Sequence, residues 1–243
     1  ISQGVSGLLN GWQLFARTSY FRVRKEELGF SPGHAGRLCV VGIPMGFEYS
    51  VSAIGAVIMQ DAINGMGSVI IAAQTAGEKI GQMFTLPMVS VGMAMATYAA
   101  QNYGAGEYGR IKSGMKSGLA IQYLYCAAAW AVIFVSKRWL VLLVLGESAS
   151  LTAQGAMEYL GRISVLFAVH GSLMIFRNTL QGMGRSVQAV LSGLGELAGR
   201  SLGAWLAGAG MGFVAICYAN PIAWGFALCY CMAMVLPLLR KEL

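Results

Sequence analysis

Long apolar runs recur along this sequence, and they constrain its fold more than any other feature. A helix that crosses a bilayer needs about 20 mostly apolar residues. After an apolar stretch at 1–16, six further runs lie at about 38–60, 69–100, 119–136, 160–180, 186–208 and 211–239. The runs are continuous, whereas the strands of a membrane β-barrel alternate apolar and polar residues. The pattern therefore predicts an all-α integral membrane protein with six complete spans.

The low charge content agrees with this prediction. Charged residues make up 11% of the 243 residues, whereas a soluble domain has about 25%. The five cysteines lie in apolar runs and form no C-x-x-C pair, and the sequence has no H-E-x-x-H and no Walker-type glycine loop. Neither a metal site nor a bound cofactor nor a nucleotide-driven pump is predicted.

Between the apolar runs, residues 17–37 form the most charged segment of the sequence, which we interpret as a solvated loop. Residues 1–16 are interpreted as the end of a transmembrane helix, 38–239 as the six-helix lobe and 240–243 as a tail. The apolar run after Ser136 is too short to cross alone, so we expect it to lie at the membrane interface.

Lysine and arginine predict the orientation of these spans, because cytoplasmic loops carry an excess of both. Of the 17 lysines and arginines, twelve fall on the side of 17–37 and of the tail, and three on the opposite side. Lys79 and Arg200 lie within spans. We therefore expect 17–37 and the C-terminus to be cytoplasmic. The net charge of +7 reflects topology, and the lipid bilayer, with no nucleic acid, is the predicted surrounding.

Polar side chains at membrane depth are costly and usually face a cavity or a partner. Glu48 lies about ten residues into its span, where it either binds a proton or sodium ion or stays protonated against a neighbouring helix. Gln74, Glu78 and Gln82 recur every four residues beside Lys79. This spacing puts them on one helix face, which predicts the lining of a wet cavity. The alternative is that Glu78 and Lys79 reach the outer surface.

Three further polar positions lie in the last spans. His170 is either a packing residue or a proton relay, since imidazole exchanges protons near neutral pH. Glu196 and Arg200 are four residues apart with the acid first, the better order for an ion pair on a helix. We predict that they form a structural charge network with Arg177, and direct contact with a substrate is the alternative.

Several motifs resemble those of the multidrug and toxic compound extrusion (MATE) transporters. They are the G-x-P at 42–44, "IAAQTAGEKIGQMF" at 71–84, "QNYGAG" at 101–106, "FRNTLQGMGRS" at 176–186 and "GELAGR" at 195–200. Their order and spacing match the second half of that family, from the end of helix six through helix twelve. The family has twelve helices in two six-helix lobes that enclose a cavity opening alternately to each side.

This resemblance implies a plasma-membrane exporter, in the bacterial inner membrane, that exchanges organic cations or drugs for sodium ions or protons. It makes 1–16 the end of the N-terminal lobe, 17–37 the loop between lobes and the missing lobe a partner of this one. Some members bind the cation through acids on helices seven and ten. Glu48 is the acid on helix seven here, whereas helix ten offers only His170, so coupling through the N-terminal lobe is the alternative.

Two other functions compete with export. A flippase for lipid-linked sugars needs strong basic patches in its cavity, and this lobe has only Lys79 and Arg200 at depth. A membrane scaffold has no need of the polar stripe at Gln74, Glu78 and Gln82. An intramembrane enzyme is disfavoured because the sequence shows no recognisable nucleophile or metal pairing.

Overall fold

The computed structural model describes residues 2–15, 29–146 and 150–241, and the regular structure in these ranges is helical. The α-helices are α1 (Ser2–Phe15), α2 (Pro32–Asn64), α3 (Ser68–Gly104), α4 (Tyr108–Leu145), α5 (Leu151–Val165), α6 (Phe167–Gly182), α7 (Ser186–Leu206) and α8 (Gly212–Lys241), with a π-helical turn at Ala207–Met211. The chain forms two compact units, Ile1–Val40 and Val41–Leu243. The first contains α1 and the first turns of α2, and the second contains the rest of α2 and helices α3 to α8.

Helices α7 and α8 pack against each other in opposite directions. A side chain at Gly195, Gly199 or Gly203 would meet Ala227, Ala223 and Ala219, respectively. Small residues at this spacing let two helix backbones approach closely, which replaces the hydrophobic effect as the source of packing in lipid. The turn between the two helices is sharp because Gly210 adopts φ 109°, a left-handed conformation that glycine reaches without strain.

Helices α5 and α6 run beside α3 and in the same direction as α3. A Cβ at Gly155 would meet Ala73 and one at Gly77 would meet Tyr159, while further along the same helix Gly92 faces Met174. The two short helices meet at a bend of 51°. They therefore form one broken span, in which α5 occupies the part predicted to precede the span at 160–180.

The apolar run after Ser136, which we predicted to lie at the membrane interface, forms the last part of α4. Helix α4 has 38 residues, or about 57 Å at 1.5 Å per residue. No glycine or proline lies between Ser136 and Leu145, and the helix stops at Gly146, which caps it with φ 75°. Helix α2 also begins earlier than its predicted span, at Pro32 rather than Leu38. Proline is favoured in the first helical turn because the missing N–H would be unpaired there.

The number of spans follows from these pairings. By length and apolarity, four helical stretches of the described residues are long enough to cross a membrane, or five if α5 and α6 count as one span. One of the four is the 54-residue stretch Ser186–Leu239. Because α7 and α8 are antiparallel, this stretch has the length and direction to cross twice, so the described helices could form the six predicted spans.

Candidate functional site

Polar side chains from five helices reach a common depth in the bundle. Each lies 6–12 residues from a helix end on the same side of the bundle, or about 9–18 Å at 1.5 Å per residue. The residues are Ser52 on α2, Glu78 on α3, Tyr159 on α5, Arg200 on α7 and Asn220 on α8. In helices that span a membrane, polar groups at such a depth need partners or water.

Glu196 lies at the centre of a buried charge network. Its side chain is 7% exposed, and its two oxygens face different arginines. One oxygen accepts a hydrogen bond from Nη2 of Arg177, and the other lies 3.4 Å from Nη2 of Arg200. Arg177 also donates from Nε to Oγ of Ser192 at 2.9 Å. The structure thus brings together the three charges that the sequence suggested as a network.

Arg200 connects this network to α2 and α8. Its Nη1 donates to both the carbonyl oxygen and Oγ of Ser52, at 2.9 and 3.0 Å. Its Nε donates to Asn220 at 3.2 Å, and Asn220 in turn donates to the hydroxyl of Tyr159 at 3.3 Å. Gly55 makes room for the arginine, since a Cβ there would lie 3.0 Å from its Cδ.

Two adjoining clefts open onto the polar layer. Their volumes are about 120 and 110 Å³, and both are lined by Glu78, Arg200 and Asn220. The first, which we call the aromatic cleft, is also lined by Gly81, Gln82, Thr85, Tyr159, Ile163, Phe167 and Trp224. The second, which we call the α2 cleft, is also lined by Ala56, Met59, Gln60, Ile63 and Gln74.

The polar stripe on α3 lies at these clefts. Gln82 lines the aromatic cleft, Gln74 the α2 cleft and Glu78 both. The amide of Gln74 donates to Oε2 of Glu78 at 2.6 Å. Among the described residues Glu78 has no ion pair, so its carboxylate is available to a ligand from either cleft.

The other predicted site residues lie elsewhere. Lys79 is exposed and lines neither cleft. His170 is 9% exposed and packs against Trp224, with ring centroids 4.6 Å apart, so Trp224 separates it from the aromatic cleft. Within the described residues neither ring nitrogen of His170 has a hydrogen-bond partner. Glu48 belongs to α2, but its side chain lies outside the described part of the structure.

Arg177, one of the twelve lysines and arginines assigned above to the side of 17–37, lies inside the bundle rather than in a loop. It is 8% exposed and pairs with Glu196 inside the bundle. The other eleven lysines and arginines on that side still outnumber the three on the opposite side, so the cytoplasmic assignment stays a prediction.

Sequence reasoning missed Tyr159, Asn220 and Ser52 as members of the site. They lie on three different helices, α5, α8 and α2, so they produce no helical stripe like that of Gln74, Glu78 and Gln82. Their common depth was the available signal, because all three lie at similar distances from the ends of their helices.

Comparisons with known proteins agree with this geometry. A family model described as MatE matches residues 44–197. Two Bacillus subtilis (strain 168) proteins are similar. The Probable multidrug resistance protein YoeA is 25% identical over 111 residues, which cover 46% of this chain and 24% of the relative. The Probable multidrug resistance protein YpnP is 24% identical over 154 residues, which cover 63% and 34%.

Solved structures share the fold over 99% of this chain. An outward-facing conformation of a multidrug resistance MATE family transporter of the MOP superfamily gives a TM-score of 0.89 at 15% identity, with 55% of that chain covered. The inward-facing conformation of such a transporter gives 0.75 at 16% identity, with 57% covered. This chain spans about half the length of those structures, and its matches cover about a quarter to a third of the two relatives.

Proposed function

This chain belongs to the MATE family of transporters, and we propose that it forms the C-terminal six-helix lobe of a secondary drug exporter. The exporter removes organic cations or drugs from the cell in exchange for sodium ions or protons. The substrate and the coupling ion compete for a cavity that alternately opens to each side of the membrane, and the ion gradient supplies the bias.

The carboxylate of Glu78 carries this proposal. It lies at membrane depth, lines both clefts and has no ion pair among the described residues. A carboxylate in such a place costs free energy unless it binds a cation or a proton, so it favours whichever ligand neutralises it. Glu78 is thus a group for which a proton, a sodium ion and an organic cation compete.

The remaining predicted site residues have supporting roles in this proposal. Gln74 and Gln82 contribute amide groups to the clefts. Glu48, on the helix that follows the inter-lobe loop, is a second candidate for the coupling cation. His170, behind Trp224, is a candidate proton acceptor next to the aromatic cleft rather than within it.

The setting of the exporter follows from the charge pattern and the family. We place it in a bacterial plasma membrane, multi-pass, with residues 17–37 and the C-terminus in the cytoplasm. The partner of this lobe is the N-terminal lobe of the same protein. Residues 2–15 are helical, as the last part of that lobe would be.

Gradient-driven efflux from vesicles tests the proposal. The full-length transporter is reconstituted, a fluorescent organic cation is loaded, and a sodium or a proton gradient is imposed. We expect efflux under one of the gradients and its loss in Glu78→Gln. Glu107→Gln is the matched control, because Glu107 is exposed in the turn before α4 and lines neither cleft.

Each result assigns the coupling. Loss of efflux in Glu78→Gln with normal efflux in Glu107→Gln supports the proposal. Normal efflux in Glu78→Gln but not in Glu48→Gln would move the cation site to Glu48. If both variants pump normally, coupling lies in the N-terminal lobe. A wild-type protein that moves no organic cation under either gradient would contradict the exporter function itself.

A further inference from the structure

We propose that the lobe binds an anionic phospholipid in a groove between α4 and the broken span formed by α5 and α6. One acyl chain fills the groove, and the phosphate lies against the ammonium group of Lys137. The groove, which we call the lipid groove, is lined by residues of α4 between Tyr123 and Trp130 and by residues on both sides of Leu166. The inference goes beyond the proposed function, because it holds whatever the lobe exports.

The first observation is the position of the lipid groove. Its volume is about 310 Å³, more than that of either polar cleft. Helix α4 supplies four of its seven lining residues, whereas no described residue of α4 lines the aromatic cleft or the α2 cleft. The polar clefts belong to the cavity that the proposed exporter encloses between its lobes. The lipid groove lies away from them, on a side left to face the bilayer.

The second observation is the break in the span beside α4. Ser164, Val165 and Ala168 line the lipid groove from both sides of Leu166, where α5 and α6 meet at a bend of 51°. A bend in one of two adjacent helices opens a recess between them. The small side chains of Ala127 and Ala168 leave this recess unfilled, so an outside molecule can enter it.

The third observation is that the walls offer apolar surface. None of the lining residues is charged, and the two hydroxyl groups among them have partners within the protein. The hydroxyl of Tyr123 is hydrogen-bonded to Oγ of Ser172 at 3.0 Å, and Oγ of Ser164 donates to the carbonyl oxygen of Gly161 at 3.3 Å. An alkyl chain suits such a surface, because it covers apolar area and brings no polar group that would remain unpaired.

The fourth observation is a cation at one end of the lipid groove. Beyond Trp130, the same face of α4 continues through Phe134 to Lys137. The rings of Trp130 and Phe134 stack with centroids 5.6 Å apart, and Nζ of Lys137 lies 5.9 Å from the centroid of the Phe134 ring. A Cβ at Gly161 on α5 would lie 3.9 Å from the same nitrogen. An apolar path therefore connects the groove to an ammonium group between α4 and α5.

This ammonium group has no acidic partner among the described residues. Glu158, one turn before Gly161 on α5, pairs instead with Arg162 at 2.6 Å. A basic side chain at the membrane surface attracts anionic lipid headgroups. A choline or ethanolamine headgroup carries its own positive charge, which offsets this attraction. Lys137 therefore favours a phospholipid whose headgroup has a net negative charge.

The dimensions agree with one lipid that occupies both places. Lys137 is the first residue after the predicted span at 119–136, at the level of the headgroups. Trp130 and Ala127 precede it by seven and ten residues, or about 10 and 15 Å along the helix. Half of the hydrocarbon core measures about 15 Å. An acyl chain therefore reaches the groove when its phosphate lies at Lys137, in the leaflet that the predicted orientation places away from the cytoplasm.

Photolabelling of the purified full-length transporter provides the test. The probe is a phosphatidylglycerol with a diazirine midway along one acyl chain, and mass spectrometry identifies the labelled residues. We expect labelling within residues 123–130. Unlabelled phosphatidylglycerol should compete about fivefold better than phosphatidylcholine with the same chains, the value of one basic residue near an anionic lipid.

Two variants test the contact with the phosphate. Lys137→Gln should abolish the fivefold difference between the two competitors. Arg138→Gln is the matched control, because Arg138 is exposed and lies about 100° further around the helix. It should retain the difference.

A second pair of variants tests the groove itself. Ala127→Phe fills the recess and should reduce the labelling severalfold. Ala128→Phe is its control, because Ala128 is the next residue on α4 and does not line the lipid groove. Both alanines are exposed, so both variants should fold, and Ala128→Phe should label as the wild type does.

The outcomes decide the inference independently of the exporter. A competitor preference that persists in Lys137→Gln, or that is lost equally in Arg138→Gln, would overturn the phosphate contact. Equal labelling of Ala127→Phe and Ala128→Phe would overturn the acyl-chain site. Absence of label from residues 123–130 would overturn the whole inference and would favour cover of this face by the other lobe. Gradient-driven efflux tests the exporter separately in every case.

Discussion

Arg200 and Ser52 are 148 residues apart in the sequence and are joined by two hydrogen bonds, from Nη1 to the Ser52 carbonyl oxygen and to its Oγ. The pair connects α2 to α7 at the depth of the clefts. At Gly55, the missing side chain lets Arg200 pack directly against the backbone of α2. This contact therefore positions one wall of the α2 cleft, and the shape of the cleft depends on how firmly α2 is held there.

Replacing Ser52 by alanine should loosen α2 without unfolding the lobe. The change removes one of the two acceptors of Nη1, and we expect a loss of about 1 kcal/mol in the free energy of unfolding, the usual value of one hydrogen bond. Thermal unfolding of the full-length transporter in detergent measures it. Ser50→Ala is the control, because the Ser50 hydroxyl donates to the carbonyl oxygen of Gly46 on its own helix. Equal losses in both variants would contradict a special role for Ser52.

Removing Glu196 should be more damaging than removing it together with one of its arginines. In Glu196→Gln, two guanidinium groups lose their shared carboxylate, and breaking a buried ion pair costs about 3–5 kcal/mol. In the double variant Arg177→Gln with Glu196→Gln, one of those uncompensated charges is gone. We therefore expect the double variant to lose less stability than Glu196→Gln alone, and hence less than the sum of the two single variants.

The fraction of monodisperse protein after solubilisation, followed by thermal unfolding, provides the measurement for these variants. Arg162→Gln serves as the control, because its ion pair with Glu158 at 2.6 Å is partly exposed, at 31% and 44%, and such pairs contribute little. Strictly additive losses of the Arg177 and Glu196 substitutions would show that the two charges do not act as a unit.

Much of this architecture could be predicted because it depends on local patterns. Span-length apolar runs predict the helices, and the four-residue repeat of Gln74, Glu78 and Gln82 predicts a shared face, which here lines the clefts. The break at Leu166 between α5 and α6 could not be predicted in the same way. No proline or glycine marks it, and the bend depends on how the two helices pack along α3.

The hydrogen-bond partners of Arg200 also could not be predicted from the sequence. A helix period identifies residues on one face of one helix, but Ser52, Asn220 and Arg200 come from three helices. Only the packing of α2, α7 and α8 brings them together. The pairing of Arg177 with Glu196, in contrast, was predicted, because both are charged residues in neighbouring apolar runs.

Gly199→Ala should destabilise the lobe, because α7 and α8 already touch at Gly199 and leave no room for a side chain. A Cβ at Gly199 would overlap the backbone of Ala223, and overpacking of this kind costs about 1–3 kcal/mol. The control is Gly225→Ala on α8, where a Cβ meets no atom within 4 Å. There the higher helix propensity of alanine should leave stability unchanged or raise it by up to about 1 kcal/mol. Thermal unfolding that ranks the two variants in the opposite order would refute the antiparallel contact.

Substrate should protect a cysteine at Gln82 but not one at Lys79. Gln82 lines the aromatic cleft, whereas Lys79, three residues earlier on α3, is exposed and lines neither cleft. The native exposed cysteines Cys39 and Cys229 are first replaced by alanine, and each engineered cysteine is then labelled with a thiol reagent in membranes. A transported cation should slow labelling of Gln82→Cys severalfold and leave Lys79→Cys unchanged. Protection of both would mean that the ligand occupies a wider cavity between the lobes. Protection of neither cysteine would favour a membrane scaffold, because no small molecule would then occupy the cleft and shield Gln82→Cys from the reagent.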